Sequence, residues 1–524
     1  MQNKSTSTAH PTKQSLLDTF FADHNPAGEH GRQALHSGAI AILGRATNVL
    51  IQILSTFILA RLLLPEDFGI FAMMAALTSL TPVLMDLGTR DATVQKSRIT
   101  TDEVSALFWL SLLIGLSLAL ATGMGSALIA NFYHESRLEM IALVWMLNFI
   151  LSALSLQHTA LLRRAMMFDR INLIEIGSNL SGAMTAIVLA YLGWGYWALV
   201  VRPICASFLY LIGVWVSCPW IPGKPRLSSS VKEMVRFGSQ ITIFAVMDAI
   251  GRSADRIALG HAKGATDLGY YQNASVIYDN PLQIFGITVH TVAATALSKL
   301  RETPDELRRL WSRALSSLAF FSMPVFVILA VAGPDIVVLL LGDNWHAAGL
   351  LLTIMALRGP AHVIERSHGW LHVAAGKGDR WVRWGIISCV LQIVAVIAGM
   401  PYGSVGIATA GTILIYLIFI PAVAYSGYPF GIDARQVLRT IGPQLIAALC
   451  SAGTGLALRS IYLLDYQPLA RVSVLFVLCL LMYLAITIGL FRLMEPLRMA
   501  RSLAERMLPP QLANLIAKVG LRIK

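Results

Sequence analysis

The stretch Phe237–Tyr271, FGSQITIFAVMDAIGRSADRIALGHAKGATDLGYY, decides how the chain is read. It opens as a helix apolar enough to enter a bilayer, yet carries Asp248, Arg252, Asp255 and Arg256. Those positions stand at i, i+4, i+7 and i+8, so a 3.6-residue repeat gathers them on one side. Ionisable groups at membrane depth are costly and usually face a protein interior or a water-filled cavity. The stretch closes on Asp267-Leu268-Gly269-Tyr270-Tyr271, which echoes Asp67-Phe68-Gly69-Ile70-Phe71 earlier in the chain. Each copy follows a long apolar segment, so the second marks the start of a second half with the orientation of the first.

Working outward, the 524 residues are 56% hydrophobic and 13% charged, with a mean hydropathy of +0.65. An ordinary soluble domain has about 25% charged residues. Apolar segments of about 20 residues recur throughout, enough to cross a hydrocarbon core. The short alternating segments of a β-barrel do not occur. The expected fold is all-α: a polytopic membrane protein of about 14 transmembrane helices, in two six-helix lobes plus two C-terminal helices. The expected organisation is a disordered cytoplasmic arm (1–36) and an N-terminal lobe of six spans (37–217). A Pro-rich cytoplasmic linker (218–235) and a second six-span lobe (236–426) follow. Two further spans (427–492) and a basic amphipathic tail (493–524) complete it. The spans least clean by hydropathy are the one after Asp267 and the one holding Arg358.

The formal charge of +12 raises a nucleic-acid reading, but the basic residues are not gathered on one domain. They fall in alternate loops. With the N-terminus inside, 30 Lys and Arg face the cytoplasm and 5 the opposite side; six lie within spans. That bias of six to one is the positive-inside pattern and places both termini in the cytoplasm. The five cysteines lie in or beside apolar segments without a CxxC pair and read as buried thiols rather than a disulfide or metal framework. The outer loops are short, so any activity is built within the helices.

No Walker loop occurs, so ATP is not expected as the direct energy source. His362 and Glu365, and His368 and His372, have spacings that put side chains on one helix face, but no convincing remaining ligand set accompanies them. No metal site, cofactor or catalytic residue is assigned. The intramembrane charges are more informative. Besides the four above there are Arg45, Glu175, Arg202, Asp279 beside Asn280-Pro281, Arg358, Glu365 and Arg366. Mutual pairing, such as Asp248 with Arg252 or Glu365 with a neighbouring Arg, is the plainer account of any one of them. Taken together, a polar cavity explains them better, because buried ion pairs seldom improve on apolar packing. Arginine stays charged and offers a planar fork matched to phosphate oxygens. Arg45, Arg252, Arg256 and Arg358 are therefore the candidates for holding a phosphorylated headgroup. Asp248, Asp255, Asp279, Pro281 and Glu365 are the candidates for coupling or gating, Pro281 because it removes a backbone donor and marks a bend.

The run Leu59-Ala60-Arg61-Leu62-Leu63-Leu64-Pro65-Glu66-Asp67-Phe68-Gly69 resembles the end of the first span in polysaccharide flippases of the multidrug/oligosaccharidyl-lipid/polysaccharide exporter superfamily. Similar matches are DLGTRDATVQ at Asp86–Gln95, LFWLSLLIGL at Leu107–Leu116, LLRRAMMF at Leu161–Phe168, GYWALV at Gly195–Val200, and FGSQ, DRIALG and LGYYQNA up to Ala274. The resemblance is dense over 38–300 and is nearest to the exopolysaccharide and colanic-acid branch. It implies fourteen spans in two lobes, alternating access, and an undecaprenyl-diphosphate-linked oligosaccharide carried across the bacterial inner membrane. Membrane lipids, a polysaccharide polymerase and a chain-length regulator are the other partners in view; nucleic acid is not. The alternatives are a drug/cation antiporter of the same superfamily, which would use the acidic groups, and a non-transporting scaffold of a polysaccharide assembly complex.

Overall fold

The computed structural model describes residues 20–21, 30–96, 98–226, 229–376, 378–463 and 465–499. Among them every regular element is a helix. In order these are α1 (His30–Leu62), α2 (Pro65–Thr78), α3 (Thr81–Asp86), α4 (Thr89–Gln95), α5 (Thr101–Met124), α6 (Ser126–Tyr133), α7 (Arg137–Arg164), α8 (Phe168–Tyr191) and α9 (Tyr196–Ser217). There follow α10 (Ser229–Ser298), α11 (Pro304–Leu341), α12 (His346–Leu357), α13 (Gly359–Glu365), α14 (His368–Ala375), α15 (Gly378–Gly399), α16 (Gly403–Gly427), α17 (Ala434–Tyr462) and α18 (Pro468–Leu484). Ten helical stretches among the described residues are long and apolar enough to cross a membrane, and an eleventh is a pair bent by 44°. Fourteen crossings are compatible with this. The stretch Gly378–Phe430 contains both α15 and α16, and α10 is broken at Gly264.

Local chemistry sets where these helices begin and end. Pro65 occupies the first turn of α2, and the Asp67 carboxylate accepts the Leu64 N–H at 3.0 Å. Thr100 and Glu103 cap α5 reciprocally: Thr100 Oγ1 accepts from Glu103 N at 3.3 Å, and Glu103 accepts from Thr100 N at 3.1 Å. Asp433 caps α17 through the Gln436 N–H at 2.7 Å. The break in α10 falls on Gly264, at φ 81°, a backbone region that costs a side-chain-bearing residue about 1–2 kcal/mol. The second Asp-x-Gly-x-aromatic copy starts three residues past that break, as the first starts at the opening of α2. Through Pro281, α10 keeps helical dihedrals.

The chain packs as two units, one running to Ala265 and one from Thr266. In the first, α1 lies on α8, α8 on α9, α5 on α7, and α7 also contacts α4 and α9. Helix α5 shows the membrane pattern on one element. Val104, Leu107, Ser111, Gly115 and Ala119 are buried on one side, while Leu113, Leu116, Leu120 and Met124 are exposed on the other. Such an apolar stripe is at home in hydrocarbon. On the buried side, a Cβ at Gly115 would come within 2.7 Å of Ala153 Cβ, so the small residue permits close helix approach. In the second unit, α11 is the hub, with α12, α17 and α18 around it and α16 against α13, α14 and α15.

Packing divides the chain later than the 218–235 linker, whose described part belongs to the first unit. Trp220 and Cys218 are buried, Trp109 Nε1 donates to the Gly223 carbonyl at 2.8 Å, and Gly223 N donates to Ser105 Oγ at 3.0 Å. Most of the 1–36 arm lies outside the described residues. Phe20 does not follow the expectation of disorder: it is helical and fully buried against a core that includes Ile99, Leu107, Phe108 and Trp220. An aromatic side chain in that core gains apolar burial enough to order its segment locally. The described cysteines form no disulfide. Cys218 and Cys479 are buried as expected, but Cys450 is exposed.

Candidate functional site

Within the first unit, α1 and α8 share a polar seam. Asn172, Glu175 and Asn179 stand at i, i+3 and i+7 on α8, one face of that helix. Opposite them, Asn48 Nδ2 donates to Glu175 Oε2 at 3.5 Å, and Asn179 Nδ2 donates to Asn48 Oδ1 at 2.9 Å. A Cβ at Gly44 would fall 2.5–2.8 Å from the Asn172 amide, so glycine lets the two helices close over these groups. Arg45 follows Gly44 and is exposed. Asn48, Asn172 and Glu175 are half-buried and Asn179 is exposed, and the bonds between the two helices hold these groups in place.

The charged face of α10 belongs to the same unit. Arg256 donates through Nη1 to the Arg252 carbonyl at 3.2 Å, and the Asp255 carboxylate accepts the Arg256 backbone N–H at 2.8 Å. Arg252 is exposed, and Asp255 and Arg256 are half-buried. One turn away, Ser253 Oγ lies 2.8 Å from Ser79 Oγ, tying α10 to the end of α2. The Asp248 side chain lies outside the described residues.

The second unit holds Arg358, Glu365, Asp279 and Pro281. Arg358 sits where α12 gives way to α13, at the 44° bend, with Pro360 in the first turn beyond it. Its own N–H turns to the Met355 carbonyl at 3.2 Å, which leaves the Ile354 carbonyl without its usual helical donor. Helix α16 supplies replacements: Thr412 Oγ1 donates to Ile354 O at 3.1 Å, and Tyr416 Oη to Leu357 O at 2.8 Å. A break inside an apolar span needs such donors, since hydrocarbon offers none. The Arg358 guanidinium lies over the Tyr278 ring, 4.5 Å from its centroid. Tyr278 is fully buried, and its hydroxyl is hydrogen-bonded to His362 Nδ1 at 2.8 Å. A cation held over an aromatic face gains about 0.5–2 kcal/mol, more where desolvated, and Tyr278 thereby orients Arg358.

Glu365 pairs with His368 rather than with an arginine: Nδ1 to Oε1 is 3.2 Å. The i, i+3 geometry of one helix turn brings that imidazole nearer than any guanidinium whose ion pair is seen. His372 lies parallel to Trp381, with centroids 6.1 Å apart. His368 and His372 also meet edge to face, with centroids 5.6 Å apart, and no metal-binding group of three occurs among the described residues. Asp279 and Pro281 follow Tyr278 on α10, and Asp279 is half-buried.

The structure therefore gathers Arg252, Asp255 and Arg256 on α10, and Arg358 and Glu365 on the bent helix with Tyr278 and His362. Tyr278, Thr412 and Tyr416 were not singled out from sequence, because an aromatic or hydroxyl in a membrane helix has no pattern of its own. Asn172, Glu175 and Asn179 had one: three polar groups at i, i+3 and i+7 in an apolar run.

Among the described residues the chain is all-helical, with a helix pair bent by 44° at Arg358. The chain superposes on the structure described as "Lipid II flippase MurJ, inward closed conformation" with a TM-score of 0.69, 18% identity, and coverage of 87% of this chain and 98% of that one. An inward-facing multidrug resistance MATE family transporter gives 0.54 at 13% identity, covering 73% and 94%. The sequence model of the family described as "Polysaccharide biosynthesis protein" matches residues 58–349, and the chain belongs to that family. Its relatives include "Lipopolysaccharide biosynthesis protein WzxC" of Escherichia coli, 23% identical over 71% of this chain and 77% of that protein. "Succinoglycan biosynthesis transport protein ExoT" of Rhizobium meliloti is 24% identical over 79% and 84%. A Klebsiella pneumoniae "Uncharacterized membrane protein in cps region" is 25% identical over 67% and 73%.

Proposed function

We propose that this protein is a flippase, not an enzyme, that carries an undecaprenyl-diphosphate-linked oligosaccharide across the bacterial inner membrane for exopolysaccharide or lipopolysaccharide assembly. A diphosphate-sugar headgroup cannot enter hydrocarbon without substitute partners for its charges and hydroxyls. The observation that carries this reading is Arg358, held at the bend of a broken span by the buried Tyr278. Guanidinium forks suit phosphate oxygens, and Arg45, Arg252 and Arg256 supply further ones in the first unit. The Asn48–Glu175–Asn179 seam offers donors and acceptors of the kind sugar hydroxyls require. Membership of the polysaccharide biosynthesis family supports the cargo class. Alternating access, cytoplasmic termini, coupling through Asp248, Asp255, Asp279, Pro281 or Glu365, and work alongside a polymerase and chain-length regulator complete the proposal.

A reconstituted assay decides it. Proteoliposomes holding the purified chain and a fluorescent polyprenyl-diphosphate oligosaccharide are expected to translocate the label faster than empty vesicles, and Arg358→Ala is expected to slow them at least tenfold. Equal rates with and without protein would sink the flippase reading. The MATE-like fold keeps a drug/cation antiporter as the second reading, with Asp248, Asp255 or Asp279 the carboxylate for a cationic cargo. Proton-driven efflux of a cationic dye, lost in Asp255→Asn or Asp279→Asn, without sugar-lipid translocation would select it.

A further inference from the structure

Near the start of α11 there is a recess of about 560 Å³ that the transport reading does not use. It is lined by Asp305, Arg308, Arg309, Ser312 and Arg313 of α11 and by Gln436 of α17. The α11 residues stand at i, i+3, i+4, i+7 and i+8, so one face of one helix supplies the floor. We propose that this recess binds the phosphate of an anionic phospholipid headgroup in the leaflet it faces.

Three arginines and one aspartate line the recess, so it is basic on balance. Arg308 is paired with Asp305, and Arg313 Nε lies 3.1 Å from Glu495. Arg309 is exposed and engages no carboxylate among the described residues. Gln436 Nε2 donates to Ser312 Oγ at 3.2 Å, which leaves the serine proton and the second amide proton to donate outward. The Gln436 backbone is already capped by Asp433, so the side chain is the part that faces the recess. Guanidinium, hydroxyl and amide donors converging on one cavity match the acceptor-only oxygens of a phosphodiester.

Position favours a lipid over a soluble anion. Asp305 to Arg313 form the first turns of α11, directly before its buried apolar segment from Ala314 to Ala332. That is headgroup depth, where the basic-residue bias places the cytoplasmic leaflet with its anionic lipids. Basic recesses between membrane helices on that side suit such headgroups. None of the recess residues is among those assigned to the cargo.

The test uses the full-length protein in a neutral detergent, with phosphatidylglycerol or phosphatidylcholine added, and counts retained lipid by native mass spectrometry. Wild type is expected to retain phosphatidylglycerol over phosphatidylcholine. Arg309→Gln alone, at an exposed site without an ion pair among the described residues, is expected to weaken retention about fivefold, and Arg309→Gln/Arg313→Gln more. Arg309→Lys should keep most of the retention, because the charge remains. Equal retention by wild type and Arg309→Gln/Arg313→Gln would overturn the proposal. So would displacement of the lipid by millimolar inorganic phosphate, which marks a soluble-anion site. Preference for polyprenyl diphosphate over phosphatidylglycerol would hand the recess to the cargo and equally overturn it.

Discussion

Arg358 shows how one residue in this protein acquires a role. A guanidinium in an apolar span needs a reason to stay, and here the reason is a ring beneath it and a helix break around it. Replacing Arg358 with Lys keeps the charge and loses the planar fork. Export of polymer at matched protein levels is therefore expected to fall in Arg358→Lys and further in Arg358→Ala. Tyr278→Phe keeps the ring and removes the hydrogen bond to His362. It is expected to cost about 1 kcal/mol of stability, read as a lower thermal midpoint, with smaller loss of export than Arg358→Ala. Outside the spans, the Arg137 guanidinium hydrogen-bonds Glu135 and holds its carboxyl below the ordinary value of 4.5. A depressed carboxyl contributes stability that is present above that value and lost as pH falls through the lowered one. The midpoint of Glu135→Gln is thus expected to lie below wild type at pH 7, with the gap closing well below pH 4.5. Arg358 and Glu365 were legible in sequence, since a charge in an apolar run is conspicuous. The partner of Glu365 was not, because nearest neighbours depend on which face of the turn each side chain occupies.

Elements explain what single residues cannot. The bent span through Arg358 was one of the two least clean by hydropathy, but its replacement donors, Thr412 and Tyr416, come from a helix nearly sixty residues on. Tyr416→Phe leaves the Leu357 carbonyl short of its donor and is expected to lower the thermal midpoint, at a cost of about 1–3 kcal/mol. A second device ties α11 to α17 and α18. Asp335 is buried and accepts from Arg471 Nη1 at 2.7 Å, while Arg459 Nη2 lies 3.1 Å from its other oxygen. By sequence these two arginines were unremarkable outer-side charges. One carboxylate serves both, so its removal leaves two shielded cations facing each other. Asp335→Ala is expected to cost about 3–5 kcal/mol, against much less for Arg459→Gln. A thermal midpoint that drops equally in the two variants would contradict the shared role.

For the whole molecule, topology is the property most open to test. The loop bias predicts Lys224 on the cytoplasmic side and Tyr402, a residue 80% exposed, on the other. In a background freed of native cysteines, a membrane-impermeant maleimide on intact spheroplasts is expected to label Tyr402→Cys and to spare Lys224→Cys. The 218–235 segment shows how far composition carries. Its prolines, at 219, 222 and 225, argued against regular structure; none is present over 218–226, but 229–235 is already the start of α10. They did not reveal that Trp220 is buried or that Gly223 is held from both sides by α5.

Class and helical content were settled, and the arginines marked as candidates, by the one-dimensional record, because the cost of placing charge or bare backbone in hydrocarbon acts on each segment regardless of its neighbours. The seam between α1 and α8, the stacking of Arg358 on Tyr278, the hydroxyls that mend the broken span and the Asp335 clasp were decided only in three dimensions. Each depends on which distant side chain arrives within about 3–5 Å, and hydrogen bonds and ring contacts lose their strength beyond such distances.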